Sequence, residues 1–211
     1  MYLFSRSARL APGNPEKQLD WALRITEKVN QISETPVTLW SSVFSPRSQL
    51  LVWTATVDEL LTLETVEGKL MGDAGYLALV EEGATHGSND PVDDGLLQIV
   101  FADPAAAEID ATYATTVQAT LAPGCSTRGM ELGVETAQRV GAITGCPTSF
   151  CLSMTGPYGS VEWVSVCTSV EELQRGQEAI GADSEFAQLV DKELSQVYMP
   201  GAIQLAWRKI A

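Results

Sequence analysis

Tyr2-Leu-Phe-Ser-Arg-Ser-Ala-Arg-Leu-Ala-Pro-Gly13 returns later in the chain as Tyr113-Ala-Thr-Thr-Val-Gln-Ala-Thr-Leu-Ala-Pro-Gly124. Tyr, Ala, Leu, Ala, Pro and Gly fall in the same places, at an offset of 111 residues. The same offset pairs Lys28 with Arg139, Val29 with Val140, Ile32 with Ile143, Pro36 with Pro147, Ser42 with Ser153 and Pro46 with Pro157. Further on the offset drifts, as loop insertions cause. Val57-Asp-Glu-Leu60 then answers Val170-Glu-Glu-Leu173, Gly75-Tyr-Leu-Ala-Leu-Val80 answers Glu185-Phe-Ala-Gln-Leu-Val190, and Leu97-Gln-Ile99 answers Ile203-Gln-Leu205. One such match is chance; a series in the same order is a duplication. Units of roughly a hundred residues are too long for solenoid repeats, so each is expected to be a small domain. The boundaries predicted are 1–103 and 109–211, with 104–108 as connector.

Each unit has the same local grammar. Residues 2–11 are extended and closed by Pro12-Gly13, and Gln18, Ala22, Ile25, Val29 and Ile32 then follow helical spacing. Pro36 forbids continuation of that helix. Stretches 37–44 and 49–57, rich in Val, Leu, Trp and Thr around Ser45-Pro-Arg-Ser48, read as a hairpin. Asp58 is the expected cap of a short helix, a second helical stretch covers 67–82, and 96–101 is a last strand. Unit two repeats the order: strand 112–121, helix 127–143, strands 149–155 and 161–168, helices 170–179 and 183–197, strand 202–209. The predicted class is therefore α+β, two tandem ferredoxin-like β-α-β-β-α-β units. Trp40, Ser42 and Phe44 alternate with Leu39, Ser41 and Val43, so both faces of the sheet carry apolar side chains. Two antiparallel sheets facing each other, helices outside, would cover both faces and close a pseudo-dimeric α/β barrel.

Composition narrows the functions. Of 211 residues, 45% are hydrophobic, which excludes disorder. Lys and Arg number 13 against 27 Asp and Glu, a net charge of −14 that repels phosphate backbones and anionic lipid. Neither nucleic acid nor membrane is an expected partner. The longest apolar runs, such as 49–55, fall far short of the ~20 residues of a bilayer span. Met1 leads into Tyr-Leu-Phe with neither a basic region nor a cleavage-site pattern, so a cytoplasmic location is expected. Cys125, Cys146, Cys151 and Cys167 lack redox or zinc spacing and read as reduced, mostly buried thiols. A Cys151–Cys167 bridge across the hairpin is the alternative.

The element order, the Pro-Gly pairs at 12–13 and 123–124, and the late-helix patterns Asp73…Tyr76…Leu79 and Asp183…Phe186…Leu189 resemble the dimeric α/β-barrel superfamily. The nearest likeness is to NIPSNAP-type and antibiotic-biosynthesis-monooxygenase-type domains, here as two fused copies. The resemblance implies one of three chemistries, or none: haem binding, cofactor-independent oxygenation, or isomerisation and cyclisation. In the haem-degrading branch a His follows the late-helix aromatic by one turn. Here Val80 follows Tyr76 and Val190 follows Phe186, while the sole His, His86, stands in Gly83-Ala-Thr-His-Gly-Ser-Asn-Asp-Pro91, read as a solvated loop. Asp90, Asp93 and Asp94 lack calcium-loop spacing and read as a solvated acidic cluster. No cofactor and no metal are expected.

Cofactor-independent chemistry asks for a dry pocket, an aromatic wall and a polar group or two for an enolate or phenolate. The predicted site is in unit one: Arg6 and Tyr76 as catalytic groups, with Trp21, Trp40, Ser42 and Trp53 around an aromatic or polyketide-like ligand. Arg6, a strand Arg among apolar neighbours, would hold the ligand's anion; otherwise it pairs with a nearby acid. The corresponding positions of unit two, Val117, Leu132, Cys151, Ser153 and Phe186, read as ordinary packing. The competing function is a non-catalytic assembly or accessory protein with a filled barrel core, and homo-oligomers of the fused chain suit either.

Overall fold

The computed structural model describes residues 1–87 and 90–211. Its elements are β1 (Tyr2–Arg9), α1 (Pro15–Ile32), β2 (Thr38–Val43), β3 (Leu50–Val57), α2 (Leu60–Met71), α3 (Ala74–Gly83) and β4 (Asp93–Phe101). After a 3₁₀ turn at Pro104–Ala107 come β5 (Tyr113–Thr120), α4 (Ser126–Thr144), β6 (Thr148–Ser153), β7 (Ser160–Cys167), α5 (Val170–Ala182), α6 (Ser184–Leu189), α7 (Ser195–Val197) and β8 (Ile203–Lys209). The fold is α+β, with antiparallel strands ordered β1-β3-β2 in one unit and β8-β5-β7-β6-β4 in the other. By contacts the chain divides into unit 1, Met1–Leu96 with Lys209–Ala211, and unit 2, Leu97–Arg208. No helix among the described residues is long and apolar enough to cross a membrane.

In unit 1, β3 lies between β1 and β2, with Arg6 opposite Trp53 and Leu39 opposite Trp53 on the other side. The C-terminal residues join this unit, where Leu39 N–H donates to the Ala211 carbonyl at 2.6 Å. α1 starts where the sequence places a cap: Asn14 accepts from the N–H groups of Glu16 and Lys17, with Pro15 in the first turn. Its buried face is Gln18, Trp21, Ala22 and Thr26. α2 and α3 divide differently from the sequence expectation. Glu59, not Asp58, precedes α2, and the break comes at Gly72, because the Asp73 carboxylate accepts from Tyr76 N–H and starts a new helix. Phe44 also departs from expectation: β2 ends at Val43, and Phe44 enters the turn at φ 50°, 84% exposed. The turn geometry outweighs its apolar character.

In unit 2, β5 and β7 run side by side from Tyr113 opposite Cys167 to Thr120 opposite Ser160. β8 flanks β5, β6 flanks β7, and Leu97–Phe101 of β4 pair with β6. The core gathers Leu132, Ala137, Phe150, Val161, Trp163, Leu189, Val197 and Tyr198. α4 comes close to the sheet because Gly129 and Gly133 carry no side chain there. A Cβ at Gly133 would stand 2.1 Å from a Phe150 ring carbon, and one at Gly129 would stand 2.1 Å from Leu121. The helical stretch expected at 183–197 contains a π-helical turn at Val190–Leu194, the kind of irregularity that re-aims side chains at functional sites.

Candidate functional site

Unit 1 divides the residues expected to form a site. Paired residues of antiparallel strands share a face, so Arg6, Trp53 and Leu39 lie on the α1 side of their sheet. Trp53 Nε1–H donates to Thr26 Oγ1 of α1 at 2.8 Å, and its ring meets Trp21 edge-on at 6.0 Å. Trp21 in turn donates from Nε1 to the Leu79 carbonyl and packs over Gly83, where a Cβ would be 2.4 Å away. Tyr76, buried on α3, is within electrostatic reach of Arg6. Trp40 and Ser42 sit on the opposite face: Trp40 Nε1–H donates to Thr54 Oγ1, and Ser42 Oγ accepts from Leu50 N–H. The sheet separates them from Arg6.

Arg6 itself is taken. Its Nε and one terminal nitrogen each donate to Asp94 at 2.7 Å, a forked pair that raises the guanidinium pKa further. The two side chains are 40% and 46% exposed, so water screens the pair. Arg6→Ala is accordingly expected to cost under about 1 kcal/mol, read from urea denaturation. A loss several times larger would mean the pair is far better sheltered than its exposure shows. Asp90 likewise faces Arg9 at 3.0 Å. His86 corrects the picture of a solvated loop residue. Its side chain is only 17% exposed and packs on Trp21, with Glu82 at 3.7 Å. Ser88 and Asn89 of that loop lie outside the described residues.

Unit 2 holds the open space. A cavity of about 540 Å³ lies between the sheet and the helices. Its floor is Thr115, Val117 and Ala119 of β5 with Trp163, Ser165 and Cys167 of β7, every second residue of each strand. Its roof is Thr136, Val140 and Thr144, spaced four apart on α4, with Leu173, Gly176, Gln177 and Ile180 of α5 and then Phe186. Val190 and Leu194 of the π turn and Tyr198 close one side, and exposed Met199–Ala202 form part of its edge. Among the described residues, the wall contains no Asp, Glu, Lys, Arg or His. Most of its polar atoms are already engaged: Trp163 Nε1–H with the Gly133 carbonyl, Tyr198 O–H with that of Gly129, Ser165 Oγ with Thr148 Oγ1. Thr136 is different. Its Oγ1 is buried without a hydrogen-bond partner, although the residue is 94% covered.

The comparison between the units explains the cavity. Val117 stands opposite Trp163 where Arg6 stands opposite Trp53, so the floor of unit 2 keeps its Trp. Sequence alignment alone passed over Trp163. What unit 2 lacks is a second Trp in the helix layer: Trp21 fills that layer in unit 1, whereas Leu132 of α4 is spent on the core beside Phe150. Small floor residues beneath a Gly-bearing helix were the legible signal, since missing side-chain volume leaves room for a ligand.

No protein-family model matches the chain, and no curated protein matches it. Solved structures do. A presumptive monooxygenase from Fusobacterium nucleatum superposes with a TM-score of 0.73 at 7% identity, covering 100% of this chain and 92% of its own. An anthrone oxidase-like protein superposes with a TM-score of 0.70 at 11% identity, over 100% and 91%. A chlorite dismutase variant from Candidatus Nitrospira defluvii gives 0.52 at 10% identity, over 98% and 91%. At such identities the likeness shows the fold alone. The unit-2 cavity does not suit His-ligated haem, because its wall carries no histidine.

Proposed function

We propose that unit 2 binds a neutral, largely apolar molecule of aromatic or polyketide type, and that the chain acts on it as a cofactor-independent monooxygenase- or cyclase-like enzyme. One observation carries the binding part: a cavity of about 540 Å³ between the unit-2 sheet and its helices, walled by apolar and aromatic side chains without charge. Trp163 and Phe186 supply aromatic surface for a ring system, and the absence of charge in the wall favours a neutral species over an anion. The monooxygenase and anthrone oxidase-like names among the structural neighbours support the choice of chemistry. In such a reaction the substrate supplies the electrons, while the wall holds it, excludes water and hydrogen-bonds its oxygen.

The same proposal covers the origin of the chain: two fused ferredoxin-like copies of NIPSNAP or antibiotic-biosynthesis-monooxygenase type, residues 1–103 and 109–211. Supporting it, Asp73 caps α3 through Tyr76 N–H and pairs with Lys28, and Asp183 caps α6 through Phe186 N–H and faces Arg139. One copy has its interior filled by tryptophan; the other has kept a cavity.

Native mass spectrometry of freshly purified protein, followed by thermal-shift titration with hydroxylated anthrones and anthraquinones, tests the proposal. Wild type is expected to be stabilised by ligand. Val117→Phe, which places a phenyl ring in the cavity, should abolish the shift while the protein remains folded. Binding that survives Val117→Phe and disappears in Arg6→Ala would move the site to unit 1.

A further inference from the structure

Two cysteines of the cavity wall meet each other. Cys146 follows Gly145, whose φ of 71° ends α4, and Cys167 is the last residue of β7. Their sulfurs are 2.8 Å apart, closer than two unbonded sulfurs rest comfortably. The contact corrects the alternative pairing read from sequence, which joined Cys167 to Cys151. Backbone bonds hold both ends in place: Cys146 N–H donates to Thr144 Oγ1 at 3.0 Å, its carbonyl accepts from Thr148 Oγ1 at 3.0 Å, and the Cys167 carbonyl accepts from Thr112 N–H at 3.0 Å. Gly176 of α5 faces Cys146 without a side chain. The two residues are 5% and 2% exposed, so the cavity they line is the approach for a small reagent.

We propose that Cys146 and Cys167 form a reversible dithiol–disulfide couple in the cavity wall, oxidised by hydrogen peroxide or a peroxide of similar size. The Cys146 thiolate attacks one peroxide oxygen and the O–O bond breaks. The departing hydroxide takes up a proton as water, leaving a sulfenic acid on Cys146. Cys167 sulfur then attacks Cys146 Sγ, the S–O bond breaks, and hydroxide leaves with the Cys167 proton as a second water. Two thiols lose two electrons and peroxide gains them. The roles follow from the surroundings. The contact with Cys167 brings the Cys146 thiol down to about 7, while the same contact and burial push Cys167 up. Cys151, buried beside Glu162, is pushed up to about 12 and is a poor competitor. Closing the bond takes the sulfurs from contact to about 2.05 Å, a movement of under ~1 Å. It ties the end of α4 to the end of β7 across a sequence separation of 21.

Intact-mass and peptide mapping after peroxide treatment of the whole protein decide the matter, independently of any ligand. The expected result is a loss of two hydrogens, a Cys146–Cys167 cross-linked peptide, a raised melting midpoint, and full reversal by dithiothreitol. Cys167→Ser should stop at a Cys146 sulfenic acid that dimedone traps. Val117→Phe should slow the oxidation several-fold by filling the approach. Both thiols remaining free under peroxide that oxidises the unfolded chain, or a bridge formed by Cys151 or Cys125 instead, would overturn the couple.

Discussion

Gly133→Ala is expected to destabilise the protein by about 2–4 kcal/mol, although alanine is the better helix former by ~1 kcal/mol. The added methyl would lie 2.1–2.5 Å from three ring atoms of Phe150, which is fully buried in the unit-2 core and stacked at 5.2 Å against Trp163. Phe150 has no room to retreat, because β6 holds it opposite Trp163 and Trp163 is itself tied to the Gly133 carbonyl. The helix must therefore lift from the sheet, and with it the roof of the cavity. Chemical denaturation of Gly133→Ala, Phe150→Leu and the double variant provides the check. The double variant should be less unstable than the sum of the singles, since the smaller side chain relieves the clash. Strict additivity would show that the glycine matters for some reason other than Phe150.

The second large effect is a dependence on pH. Glu162 of β7 lies opposite Gln118 of β5 and Cys151 of β6, and burial pushes its carboxyl up to about 7. The Gln118 amide at 3.2 Å eases the charged form without compensating for lost hydration. A folded-state pKa above the unfolded 4.5 means that the folded protein holds its proton longer. Below pH ~4.5 both states are protonated and nothing is lost. As pH rises to about 7 the unfolded chain ionises first, stability falls, and above that the full difference of roughly 3 kcal/mol is gone. Glu162→Gln removes the charge and keeps an oxygen for Gln118. The variant should match wild type at pH 4 and exceed it by about 2–3 kcal/mol at pH 8, measured by urea denaturation at each pH. Equal pH slopes for the two proteins would mean that Glu162 is ionised with little cost in the fold.

The units differ in what a reader of the sequence can recover. Caps, helix spans and strand periodicity were open to inspection: Asn14-Pro15 starts α1, Asp183 starts α6, and alternation along 50–57 puts Leu51, Trp53 and Ala55 on one face. The same alternation already contained the separation of Trp40 and Ser42 from Arg6, since strand neighbours differing by an odd step point to opposite faces. Trp40 and Ser42 share chemical type with the Arg6 group of residues, but the sheet keeps the two sets apart. Arg6 looked available because Asp94 lies 88 positions away and only the fold makes them a pair.

Local signals, which act over a few residues, thus determined by themselves the order of strands and helices and the caps and turns, and composition fixed the acidic balance. The tertiary structure alone decided where space remains. A cavity is a difference between the volume that a sheet and its helices enclose and the side chains sent to fill it. Trp21 over Gly83 closes that difference in unit 1; Thr115, Val117 and Ala119 beneath α4 leave it open in unit 2. The contact of Cys146 with Cys167 and the missing partner of Thr136 arise in the same way, from elements distant in sequence being held at fixed spacing.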